Sequence, residues 1–149
     1  MNPINTICVI DDDTVYHFII KKQIEHSKIS EKVLTFPTGG MALDYFKSVV
    51  GKPEQQPDVV LLDINMPVMD GWDFLTFYKS MKKDFSKPIY ICMVSSSLNP
   101  EDREKAIRFE NVSDFIVKPV TEEKLQNLLY KAIIATDTKI SDPEASYME

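Results

Sequence analysis

Cysteine is scarce in this chain: the two that occur, Cys8 and Cys92, each sit inside an apolar run that reads as a buried strand. A disulfide framework is unsupported, and a two-cysteine metal site would lack its other ligands. Both thiols should pack as small hydrophobes. Basic charge is short as well, with 17 Lys and Arg against 23 Asp and Glu and a formal net charge of −6. No basic face remains to neutralise a nucleic-acid backbone or to hold an anionic membrane, so neither is expected as a partner. No apolar run approaches the roughly 20 residues that span a bilayer. Residues 1–13 also lack the basic region and apolar stretch of a secretory signal. The expected location is cytoplasmic. Internal repeats are absent.

What is present fits one soluble domain: 149 residues, 44% hydrophobic and 27% charged. Short β-rich apolar runs recur at residues 4–10, 32–36, 58–64, 88–94 and 114–117, each bounded by polar or Pro/Gly punctuation. Three of the five are continuously apolar, as in Val59-Val60-Leu61-Leu62, the pattern of strands covered on both faces of a parallel sheet.

Between the runs, apolar spacings of three and four predict amphipathic helices. Their faces carry Val15, Phe18 and Ile19; then Ala42, Tyr45, Phe46, Val49 and Val50; then Phe74, Phe77, Tyr78 and Met81. The last helix presents Leu125, Leu128, Leu129, Ala132 and Ile133, with Thr121 as its N-cap. A helix over residues 100–110 is rich in charge and can bury only a narrow stripe such as Ala106, Ile107 and Phe109, so it should be the loosest element. Strict alternation of strand and helix gives an α/β, doubly wound, five-stranded parallel sheet with helices on both faces. Residues 51–57 read as an exposed loop, residues 1–136 as the domain, and residues 137–149 as a polar tail.

In such a sheet, ligands bind where the carboxyl ends of the strands converge. Strand one ends in Asp11, Asp12 and Asp13, strand three in Asp63, strand four in Ser95 and Ser96, and strand five in Lys118. Carboxylates this close repel one another, and a hard divalent cation that takes oxygen ligands is the usual remedy, so a Mg2+ site is implied. With the repulsion offset, a carboxylate can attack phosphorus while a lysine and a hydroxyl hold the oxygens of the transferring group.

Four stretches in order carry a resemblance: Val9-Ile10-Asp11-Asp12-Asp13, Leu61-Leu62-Asp63-Ile64-Asn65-Met66-Pro67-Val68-Met69-Asp70-Gly71, Val94-Ser95-Ser96 and Val117-Lys118-Pro119. Over about residues 4–136 the chain resembles the response-regulator receiver domains of two-component signalling, and is similar to the single-domain chemotaxis regulators. The resemblance implies a flavodoxin-like sheet of order 2-1-3-4-5. It implies Asp63 as phosphoacceptor and Mg2+ (or Mn2+) held by Asp12 directly, Asp11 partly through water, Asp63, and the backbone carbonyl of Asn65. Ser95, with Ser96 as fallback, and Lys118 would bind the phosphoryl group, and Ser95 with Phe115 would form the switch. The donor would be a sensor histidine kinase or a histidine phosphotransfer protein. The output would be a conformational change read by a downstream protein. Such a domain assists only its own phosphorylation and dephosphorylation.

Other readings of the same residues compete. Asp13 or Thr14 is expected to cap the first helix, and Asp70-Gly71 to serve as turn and cap. Asp11 and Asp13, two apart after a strand, also fit a haloacid-dehalogenase-like phosphatase, although that class needs a late acidic pair for which only Glu122-Glu123 is available. His17 and His26 have no metal-ligand spacing and read as surface or boundary residues. Phe74, Phe77 and Tyr78 read as core, and Trp72 as a border of the crevice.

Overall fold

The computed structural model describes residues 4–96 and 99–136; the expected tail, residues 137–149, lies outside them. The elements run β1 (Ile4–Ile10), α1 (Thr14–Ser27), β2 (Ser30–Phe36), α2 (Gly39–Ser48), β3 (Val59–Asp63), α3 (Gly71–Met81), β4 (Tyr90–Ser95), α4 (Pro100–Arg108), β5 (Asp114–Val117) and α5 (Glu122–Thr136). All four strand pairings are parallel and the order is β2-β1-β3-β4-β5. The reversal of order beside β1 and β3 opens the crevice predicted for this class.

The sheet separates two apolar layers. Ala42, Phe46, Phe74, Tyr78 and Ala106 pack with Ile10, Leu62 and Met93 on one side; Ile20, Ile24, Leu125, Leu128 and Leu129 pack with Ile7, Leu61 and Val94 on the other. Cys8 and Cys92 are buried, one in each layer.

Several helix faces are turned from where the spacing put them. On α1, Asp13 is the N-cap, its Oδ1 accepting from the Val15 and Tyr16 N–H groups at 3.0 and 3.1 Å. The helix that follows turns His17, Ile20 and Ile24 inward, the two isoleucines packing against β1, β3 and α5, while Val15, Ile19 and Phe18 (65% exposed) point outward. His17, expected at the surface or its boundary, is therefore buried at 8% exposure, and His26 is exposed. On α3, Phe74 and Tyr78 are core as expected, but Phe77 faces solvent, because the inward positions are four apart. Val50 on the second predicted face is exposed too.

The predicted α4 stripe shrinks to Ala106. Ile107 is 76% exposed, and Phe109, just past the helix, is half-buried against the Trp72 ring with centroids 5.3 Å apart. Trp72 thus lies against α4. The loop over residues 51–57 is only partly exposed. It contains a 3-10 turn at Pro53–Gln55 and buries Gln56, whose Nε2 donates to the Val49 carbonyl at 3.0 Å. A long polar side chain that completes its bonds on backbone can sit inside. β2 begins at Ser30, earlier than its apolar run, through parallel pairing with Ile4.

Caps elsewhere follow the sequence. Asp70 and Asp73 form a reciprocal capping box at the start of α3, and the Thr121 hydroxyl accepts from the Lys124 N–H at 3.2 Å. Gly71 is required by space: a Cβ there would lie 2.6 Å from the Asp63 carbonyl oxygen.

Candidate functional site

The carboxyl ends of β1, β3, β4 and β5 deliver the site. Asp63 closes β3 and pairs with Val94, Ser95 closes β4 and pairs with Val117, and the Lys118 N–H donates to the Ser95 carbonyl at 2.7 Å. Sheet register alone therefore brings Asp63, Ser95 and Lys118 to one rim. Asp11 and Asp12 follow β1 directly, with the Asp11 N–H on the Phe36 carbonyl at 3.1 Å.

Asp11 is 1% exposed and Asp63 4%, whereas Asp12 is exposed. Lys118 Nζ lies 2.7 Å from Asp11 Oδ2 and 4.0 Å from Asp63 Oδ2. Asp11 Oδ1 accepts from the Asp13 N–H at 2.9 Å, and Asp63 Oδ1 from the Asn65 N–H at 3.2 Å. Burial, followed by the Asp11 charge, pushes the Asp63 carboxyl up to about 7, against the opposing pull of Lys118 and the Asn65 N–H. One lysine does not offset two buried carboxylates and a third beside them.

Asp11, Asp12 and Asp63 each offer an oxygen, all within 4.8 Å of one another. An all-oxygen donor set with surplus negative charge fits a hard divalent cation. Asp13 stands outside this group because its carboxylate is engaged in the α1 cap, so the Asp11/Asp13 pair of the phosphatase reading is not formed.

Ser95 is fully buried and Ser96 exposed. Phe115 is half-buried, its ring 5.2 Å beneath the Arg103 guanidinium of α4. One neighbour escaped the sequence reading. Tyr16 lies in the first turn of α1 with its ring 4.6 Å from Lys118 Nζ. The available signal was its place three residues after the cap Asp13, where the helix starts beside the strand ends.

The family model for the response regulator receiver domain matches residues 7–130, and the chain belongs to that family. The fold is shared with the crystal structure of a two-component response regulator from Cytophaga hutchinsonii. That structure is 28% identical with a TM-score of 0.78 over 87% of this chain and 97% of the other. A response regulator receiver protein from Dyadobacter fermentans is 26% identical, with a TM-score of 0.74 over 86% and 97%. Among curated proteins, a protein-glutamate methylesterase/protein-glutamine glutaminase of Chromohalobacter salexigens is 32% identical over 136 residues. Histidine protein kinase 1 of Candida albicans is 27% identical over 129 residues. These matches take in 90% and 84% of this chain but only 35% and 5% of those proteins. What is shared is the phosphoaccepting receiver domain of two-component signalling. Among the described residues no helix is long and apolar enough to cross a membrane.

Proposed function

We propose that Asp63 takes the phosphoryl group and that residues 1–136 act as a cytoplasmic signalling receiver, supplied by a sensor histidine kinase or a histidine phosphotransfer protein. The observation that carries this is the Asp63 carboxylate, buried at the end of β3 with Lys118 Nζ 4.0 Å away and Asp11 beside it. An Asp63 oxygen attacks phosphorus, the bond from phosphorus to the donor atom breaks, and its electron pair leaves with the donor. An acyl phosphate is left on Asp63. Mg2+ or Mn2+, held by Asp11, Asp12, Asp63 and the Asn65 backbone carbonyl, would supply positive charge to the phosphoryl oxygens. Lys118 holds one of those oxygens as it gives up part of its bond to Asp11, and the Ser95 hydroxyl donates to another. Movement of Ser95 makes room for Phe115 to turn inward and so alters the α4–β5–α5 surface that a downstream protein reads.

The test is labelling by acetyl phosphate with Mg2+. One hydroxylamine-labile acyl phosphate is expected, and Asp63→Asn should abolish it. Stoichiometric, persistent labelling of the Asn variant, or labelling on a histidine, would remove the assignment.

A further inference from the structure

We propose that Tyr16 is a positioning residue for phosphoryl transfer, its ring forming a wall that keeps the Lys118 ammonium beside Asp63. The proposal rests on the acceptor reading above. A lysine is a point charge on a flexible four-carbon stem, so its ammonium needs more than one contact to occupy a defined place. In this site those contacts form a closed circuit. Asp11 Oδ2 takes Lys118 Nζ at 2.7 Å, while Asp11 Oδ1 accepts the Asp13 N–H at 2.9 Å. Asp13 Oδ1 accepts the Tyr16 N–H at 3.1 Å, and the Tyr16 ring lies 4.6 Å from the same Nζ. The cap that starts α1 therefore also sets where the ring stands.

The hydroxyl plays no part in this circuit. It is buried and has no hydrogen-bond partner among the described residues. The attraction of an ammonium to an aromatic face belongs to the ring.

The ring matters most when the charge arrangement changes. In the unmodified site Asp11 is the nearer carboxylate, and Lys118 must trade part of that contact for a phosphoryl oxygen on Asp63. A neutral face that attracts the ammonium without competing as an anion supports it through the exchange. With a leucine there, the ammonium either stays locked on Asp11 or extends into water.

Two measurements test this. In the wild-type protein, ring current should move the ε-methylene protons of Lys118 upfield of those of the other lysines. Tyr16→Phe should retain that shift and Tyr16→Leu lose it. With acetyl phosphate and Mg2+, Tyr16→Leu should slow labelling of Asp63 about 3- to 10-fold, and Tyr16→Phe should restore most of the rate. In a Lys118→Ala background the Tyr16→Leu change should have no further effect, which a general loosening of α1 would not produce. An unshifted Lys118 methylene in the wild-type protein overturns the proposal without any variant. Equal labelling rates for wild type and Tyr16→Leu overturn it while leaving Asp63 as acceptor. A wild-type protein that labels elsewhere than Asp63 overturns the acceptor reading and this role together.

Discussion

The two helices that flank β5 are held in opposite ways. α5 buries Leu125, Leu128, Leu129 and Ala132 in the layer it shares with α1. α4 buries Ala106 alone, and ring contacts at the rim help to hold it: Arg103 over Phe115, Lys105 Nζ 4.7 Å from the Trp72 ring, and Phe109, just beyond the helix, against Trp72. Each cation-to-ring contact at an exposed site is worth about 0.5 to 1 kcal/mol, against about 1.5 to 3 kcal/mol for each fully buried leucine. A group the size of a phosphoryl can therefore bias the position of α4 without disturbing α5. On the proposed reading, the part that moves and the part that holds lie on opposite sides of one strand.

The bluntest way to break this comparison is to cut into each helix and measure chemical denaturation. Leu129→Ala, at a fully buried position, should cost about 2 to 5 kcal/mol. Ile107→Ala should stay within about 0.5 kcal/mol of wild type. Comparable losses would mean that α4 is as much a part of the frame as α5.

A second test asks whether strain in the acceptor pocket falls on the frame. The folded Asp63 carboxyl titrates near 7, well above its ordinary value, because it is buried beside Asp11. Between about pH 4 and pH 7 the folded protein holds a proton that the unfolded chain has released. Stability in metal-free buffer should therefore fall as pH rises through that window, and the loss should persist above it. Asp63→Asn should remove this slope and leave the protein more stable than wild type at pH 8, by on the order of 2 kcal/mol. A wild-type slope that survives the substitution would move the effect to other groups. Mg2+ at pH 8 should recover part of the loss, about 1.4 kcal/mol at roughly ten times its dissociation constant. Asp12→Ala should weaken that recovery.

The sequence made the sheet and the site rim legible because both follow from unambiguous signals. Buried parallel strands are continuously apolar, and their last residues must meet at one edge, so Asp11, Asp63, Ser95 and Lys118 fall together on the strength of the sequence alone. Helix faces were less legible. On α1, Val15, Phe18 and Ile19 have the right spacing but the wrong phase, since packing against the sheet and α5 takes Ile20 and Ile24, with His17, inward instead. Spacing defines a stripe, whereas packing decides which stripe is used. Tyr16 was missed for a related reason: its place after the Asp13 cap put it near the strand ends, but its contact with Lys118 joins residues about a hundred apart in the chain, and only the fold brings them together.

The smallest expected effect probes the signal side most directly. Arg103 belongs to α4 and Phe115 to β5, so the guanidinium over that ring both docks the helix and covers the half-buried face of the aromatic. Arg103→Ala should weaken α4 docking by about 0.5 to 1 kcal/mol, which raises amide hydrogen exchange in α4 about 2- to 5-fold. Exchange in α5 and the global unfolding free energy should hardly change, because α5 is held by its own buried leucines. Without its cover, Phe115 gains by turning inward, the rearrangement expected when Asp63 carries a phosphoryl group. Amide shifts of β5 and α4 in metal-free Arg103→Ala should therefore move part of the way toward the wild-type positions seen with beryllofluoride and Mg2+. Shifts that stay at the unliganded wild-type values while α5 exchange rises would reverse the assignment. The rim contact would then brace the frame, and the signal would have to leave the pocket by another face.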